Sequence, residues 1–208
     1  NVALGYNALG ANTAAGNVAV GYSSLAVNTT GTDNTAVGNS ALDASTTGNA
    51  NTAIGDNALG ANTTADNNTA VGGSALLVNT TGTENVAVGK GSLDANTTAS
   101  YNTGVGTGSL SGNTTGASNT GIGAYALNAN TTGASSTAVG YQALYTNTNY
   151  SENTAMGYKA LYANSSGYSN TSIGHETMMA NTTGTSNVAV GHDSLTANTT
   201  GAANVAVG

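Results

Sequence analysis

A glycine returns at every seventeenth position through nearly the whole chain. It stands at Gly21, Gly38, Gly55, Gly72, Gly89, Gly106, Gly123, Gly140, Gly157, Gly174, Gly191 and Gly208, closing a motif of the form Asn-Thr-Ala-Val-Gly. The first interval, Gly5 to Gly21, is shorter by one, so a single residue is missing near Ala14–Gly16. Self-similarity at a fixed short period is the signature of a repeat architecture, in which each unit buries its apolar face against the next. Residues 1–208 thus read as one array of twelve repeats. The array begins and ends inside the motif without caps, as a piece of a longer chain would.

One repeat is shown by Gly21-Tyr22-Ser23-Ser24-Leu25-Ala26-Val27-Asn28-Thr29-Thr30-Gly31-Thr32-Asp33-Asn34-Thr35-Ala36-Val37. Leucine recurs at the fifth position, as in Leu25, Leu42 and Leu59, with Met178 as its one substitute. Asn, Thr, Ser and Gly are weak helix formers, and the apolar positions do not follow a 3.6 period. Two short segments read as extended: Asn-Thr-Ala-Val, and the run from Ala-Leu to Asn-Thr-Thr. A helix pair or a propeller blade needs more residues than this. The expectation is an all-β fold, a parallel β-solenoid (β-roll) of twelve 17-residue coils. At about 4.8 Å per coil, the array would be roughly 58 Å long.

In such a solenoid residue i lies over residue i+17, and identical side chains stack. Asn34, Asn51, Asn68 and Asn85 belong to one expected amide ladder. Asn28, Asn62 and Asn79 belong to a second, in which Ser45 is a gap. Stacked amides can donate to one neighbour and accept from the other, whereas stacked charges repel. The geometry therefore accounts for a charged fraction of only 5%.

The strand before each motif glycine ends in a large apolar residue, such as Val37 or Val71, preceded by a small one, such as Ala36 or Ala70. Successive strand residues face opposite sides. The expectation is that both faces are buried, one inside the coil and the other against something close. About two large apolar side chains per coil contribute roughly 3–6 kcal/mol, while ordering the backbone of one repeat costs roughly 17–34 kcal/mol. A lone narrow coil is marginal, so self-association into a homo-oligomer is expected.

Composition removes several function classes. The chain has no Cys, Pro, Trp or Phe, and its two basic residues are Lys90 and Lys159. Without thiols there is no disulfide framework and no thiolate metal site. With no Arg and a formal charge of −7, the electrostatic footprint of a nucleic-acid binder is missing. No apolar run is long enough to span a bilayer as a helix, so no membrane insertion is expected in this segment.

The motif Asn187-Val188-Ala189-Val190-Gly191 resembles the repeat core of YadA-type trimeric autotransporter adhesin heads. Gly140-Tyr141-Gln142-Ala143-Leu144-Tyr145-Thr146-Asn147 is similar to the repeat arrays of trimeric phage tail fibres and related bacterial surface fibres. The resemblance covers all twelve repeats. It implies a left-handed β-roll, three chains per fibre, an extracellular or virion location and a role in attachment, with this chain a fragment of a longer fibre protein. The adhesin-head repeat is shorter, so each coil here carries extra residues in a turn. No site motif comes with the resemblance.

Chemistry-bearing residues are few. His175-Glu176 and His192-Asp193 are one repeat apart, so the imidazoles should stack on adjacent coils, and such a set could hold a divalent metal. They occupy positions that elsewhere hold Tyr22-Ser23 or Lys90-Gly91, as exposed loop sites would. Neighbours in an extended loop also point apart, so no metal, cofactor or catalytic residue is expected. Tyr141 lies over Tyr158 and Tyr145 over Tyr162, a set that could stack against sugar rings or simply stabilise the ladder. The Asn-Thr-Thr runs match the glycosylation acceptor pattern, although a laddered amide between coils could not carry a sugar. The reading is therefore a non-enzymatic structural or adhesive fibre segment, with a surface glycan or receptor as candidate partner. The alternative is an ice-binding or glycan-binding β-solenoid. Neighbouring Thr residues, which face opposite sides, speak against a flat ice-binding array.

Overall fold

The computed structural model describes residues 1–208. It is all-β, thirteen three-residue strands with no helix, wound as a parallel β-solenoid. The chain divides into two compact units, Asn1–Asn102 and Thr103–Gly208. The first holds β1 (Val2–Leu4), β2 (Val18–Val20), β3 (Thr35–Val37), β4 (Thr52–Ile54), β5 (Thr69–Val71) and β6 (Val86–Val88). The second holds β7 (Thr103–Val105), β8 (Thr120–Ile122), β9 (Thr137–Val139), β10 (Thr154–Met156), β11 (Thr171–Ile173), β12 (Val188–Val190) and β13 (Val205–Val207). Within each unit every strand pairs in parallel with its sequence neighbours, as in Thr35↔Thr52 and Thr120↔Thr137. The shortened first coil keeps the same alignment, Val2↔Val18.

Only one of the two expected extended segments is a strand. The run from Ala-Leu to Asn-Thr-Thr is a succession of turns. Its leucine adopts the left-handed region, with φ 48° at Leu25, 52° at Leu42 and 51° at Leu59. That conformation is uncommon for any residue with a branched side chain. Two things hold it here. Each of these leucines is fully buried, and its amide donates to the next coil, as Leu25 N–H does to Ala41 O at 3.0 Å. Three positions per repeat take this conformation: the leucine, the residue two before it, and the residue before the strand Asn. They turn the chain back on itself within a single repeat.

The structure distinguishes the two strand faces, and only one of them is buried within the chain. Ala36, Ala53 and Ala70 are fully buried, whereas Val37 and Val71 are half-exposed and Ile54 is 40% exposed. The small residue points into the coil and the large one points out. The size limit comes from inside. At Gly121 an added Cβ would stand 2.6 Å from Ser109 Oγ and 3.3 Å from Leu110 Cγ. The core is accordingly a column of leucines between two columns of small residues, closed by two columns of asparagine. It is too narrow for a second bulky column.

Both amide columns form. In the first, Asn34 Nδ2 donates to Gly48 O (2.7 Å), and Asn34 Oδ1 accepts from the backbone N–H of Asn51 (3.0 Å) and from Asn51 Nδ2 (3.2 Å). The ladder is therefore amide-to-backbone as well as amide-to-amide. In the second, Asn96 Nδ2 donates to Asn79 Oδ1 (2.9 Å) and to the carbonyl three residues on, Ala99 O (3.0 Å). Ser45 interrupts this column. Asn28 Oδ1 and Ser45 Oγ are buried with no partner. An unmade buried hydrogen bond costs about 1–3 kcal/mol. Replacing Ser45→Asn is expected to stabilise the chain by about 1–2 kcal/mol, since Asn fits this site in the other coils. A rise in the urea unfolding midpoint measures it, and an unchanged or lower midpoint would show that the gap is not the weak point.

Candidate functional site

Two surfaces come out of this geometry. The first is the outer face of the strands. Residues one and three of each strand share that face. One column is Thr or Val throughout, and the other is Val or Ile, with Leu4 and Met156 as exceptions. No charged side chain lies in either column. Outside the end strands, Ile54, Ile122 and Met156 are about two-fifths exposed, at 40%, 41% and 42%. Val and Thr have nearly the same shape, so the face is regular as well as apolar. The Thr column takes one position per strand, the first. The neighbouring Thr pairs lie instead in the turns, where Thr29 Oγ1 donates to Thr46 O at 3.0 Å.

The second surface is the ridge formed by the residues after each motif glycine. In the second unit it carries a run of stacked rings. Tyr141 and Tyr158 lie 5.7 Å apart, Tyr158 and His175 5.0 Å, and His175 and His192 4.9 Å, all within 16° of parallel. Tyr145 and Tyr162 form a separate stack at 5.3 Å and 2°. The Lys159 ammonium lies between the two stacks, 5.3 Å from the Tyr158 ring and 5.5 Å from Tyr162. A cation over the ring face is favourable by about 0.5–1 kcal/mol at an exposed site. The rings of Tyr141, Tyr145, Tyr158 and Tyr162 thus turn faces to one another.

The acids stay dispersed. Burial pushes the carboxyls of Asp43 and Asp94 above the usual range, against backbone hydrogen bonds that lower them. Asp94 Oδ1 is buried without a partner. The two lie three coils apart in one column, roughly 14 Å at sheet spacing. Paired catalytic carboxylates stand about 5–10 Å apart. One cluster does gather titratable groups: His175, His192 and Asp193 bring their ligating atoms within 4.8 Å of one another. Glu176 is outside that set. The expectation that neighbouring His and Asp point apart fails at Asp193, which like Glu176 is left-handed (φ 55° and 52°) rather than extended. Its carboxylate swings back to lie 3.0 Å from His192 Nδ1.

No protein-family model, curated protein or solved structure matches the chain. No helix is long and apolar enough to cross a membrane.

Proposed function

We propose that this chain is a non-enzymatic structural segment of a surface or virion fibre, assembled as a homotrimer through the outer faces of its strands and serving as spacer or adhesive shaft. The observation that supports this is the uncharged Thr/Val–Val/Ile face, whose apolar column is up to two-fifths exposed. A solvated sheet face ordinarily carries polar side chains, and a large exposed apolar patch marks an interaction site; one column here is apolar in every strand. Covering the exposed part of one Val or Ile gains about 1 kcal/mol, while association costs about 4–15 kcal/mol. A stable assembly therefore needs many coils in contact along one face, and a regular face provides that. The resemblance of the repeats to trimeric surface and tail fibres points the same way, to an extracellular setting and a receptor or surface glycan at some part of the fibre.

A second reading has one observation in its favour. Most strands carry one Thr on the outer face, beside an apolar column, on a regular parallel sheet. A regular outward-facing Thr column is a feature that a flat ice-binding surface would use.

Sedimentation equilibrium separates the two readings. The expected mass is three times that of the single chain. Ile54→Lys together with Ile122→Lys, one change in each unit, is expected to reduce the mass to that of one chain without loss of β circular dichroism. A monomeric parent would sink the fibre reading. A monomer that also produced thermal hysteresis, lost in the same double variant, would establish the ice-binding one.

A further inference from the structure

The edges of the two stacked imidazoles form a site that the function proposed above does not use. The ladder of motif glycines sets the coils at sheet spacing and launches the following residues in register. His175 and His192 are such residues, and their rings are parallel to within 2°. Stacking covers ring faces only. The nitrogen lone pairs of imidazole lie in the ring plane, on the edges, and both side chains are exposed. The arrangement that turns Tyr158 and His175 face to face therefore leaves the imidazole nitrogens open.

The third group is placed by the backbone. Asp193 N–H donates to His175 O at 3.0 Å, which ties the second coil's acid to the first coil's histidine. The left-handed turn at Asp193 then carries its carboxylate back over its own neighbour, 3.0 Å from His192 Nδ1. Two ligand atoms about 2.0–2.1 Å from one tetrahedral ion lie about 3.3 Å apart. The His192–Asp193 pair is thus close to chelating distance already. The most distant pair in the cluster is within 4.8 Å and must close by roughly 1.5 Å. Rotation of an exposed side chain supplies that much.

We propose that His175, His192 and Asp193 bind one divalent transition-metal ion, clipping two successive coils together. Two imidazoles and one carboxylate make a donor set for borderline ions such as Zn²⁺, Ni²⁺ or Cu²⁺; Ca²⁺ and Mg²⁺ prefer an all-oxygen shell. Coordination positions beyond these three remain for water. A net charge of −7 raises the local concentration of cations. Ligation requires unprotonated imidazoles, so affinity falls on acidification.

Calorimetric titration of the untagged full chain with Zn²⁺ at neutral pH tests the site. The expected result is one ion per chain and no heat with Ca²⁺. His175→Gln and His192→Gln are each expected to weaken binding by more than about tenfold, the lower end of what losing a mere hydrogen-bond partner of a ligand costs. Glu176→Gln should leave it within twofold. Both histidines are exposed and Glu176 is half-buried, and β circular dichroism checks that the variants fold. No Zn²⁺ binding, undiminished binding in the double His variant, or an equal loss with Glu176→Gln would each overturn the assignment. The stoichiometry is read per chain, so failure here leaves the assembly reading untouched, and failure of the assembly leaves this one standing.

Discussion

Gly55→Ala is expected to destabilise the first unit by about 4 kcal/mol, summing backbone strain and overpacking. Gly55 has φ 138°, a region that side chains of L-residues rarely enter. A Cβ built there would stand 2.6 Å from both the carbonyl carbon and oxygen of Gly72, the glycine one coil on. Backbone on that side cannot move without breaking the strand pairing of β4 and β5. Gly73→Ala is the matched control. Its Cβ would meet nothing nearer than Asp56 O at 4.0 Å, and it is expected to change stability by less than about 0.5 kcal/mol. Urea unfolding compares the two. Amide exchange should also show protection lost at Gly55, which donates to Val37 O at 2.8 Å. Equal effects at both positions would mean that the stacked glycines are not what holds the coils together.

Asn68→Ala is expected to cost about 3 kcal/mol, from one orphaned buried donor and the cavity beside it. Asn68 Oδ1 accepts from the backbone N–H of Asn85 at 3.0 Å and from Asn85 Nδ2 at 3.1 Å, of which the side-chain donor keeps Ala99 O at 2.9 Å. The carbonyl on the other side is better served. Gly82 O receives Asn68 Nδ2 at 2.9 Å but also Asn79 Nδ2 at 2.8 Å. The loss is therefore concentrated on the Asn85 amide. Asn68→Ser should be milder, since Ser136 occupies the same column and its Oγ still accepts from Asn153 N–H, at 3.3 Å. Denaturant midpoints in the order parent, Ser, Ala are the expected result. A Ser variant as unstable as the Ala variant would show that the oxygen acceptor is not the decisive group.

The period, the strand register, the two amide columns and the buried leucines were all legible in the repeat. Which strand face is the inner one stayed open at the level of sequence, although the signal is present. Asn34 and Ala36 are two residues apart and so share a face; a laddered amide must be buried, so the alanine must be as well. The rule that large apolar residues go inside does not decide the matter, because Leu42 and its equivalents already fill the narrow interior. The left-handed turns were only partly visible. Gly91, Gly108 and Asn57 hint at one of them, and Asn67 and Asp33 at another. The leucine column offers only Leu or Met, and nothing in those side chains signals a positive φ. Of the ridge, the stacked rings followed from the 17-residue offset. The approach of Asp193 to His192 did not, because it depends on one of those turns.

The first coil is one residue short, yet Val2, Ala3 and Leu4 still align with Val18, Ala19 and Val20. The deletion falls between Asn12 and Asn17, and both amide columns continue across it: Asn28 Nδ2 reaches Asn12 Oδ1 at 2.6 Å, and Asn17 Nδ2 reaches Gly31 O at 2.8 Å. That corner takes up a difference of one residue without shifting the strand register or breaking either amide column, whose shared acceptor, Gly31 O, stays in place. Guest peptides spliced there, in whichever coils one chose, would be held out like pegs on a board, at heights set in steps of about 4.8 Å.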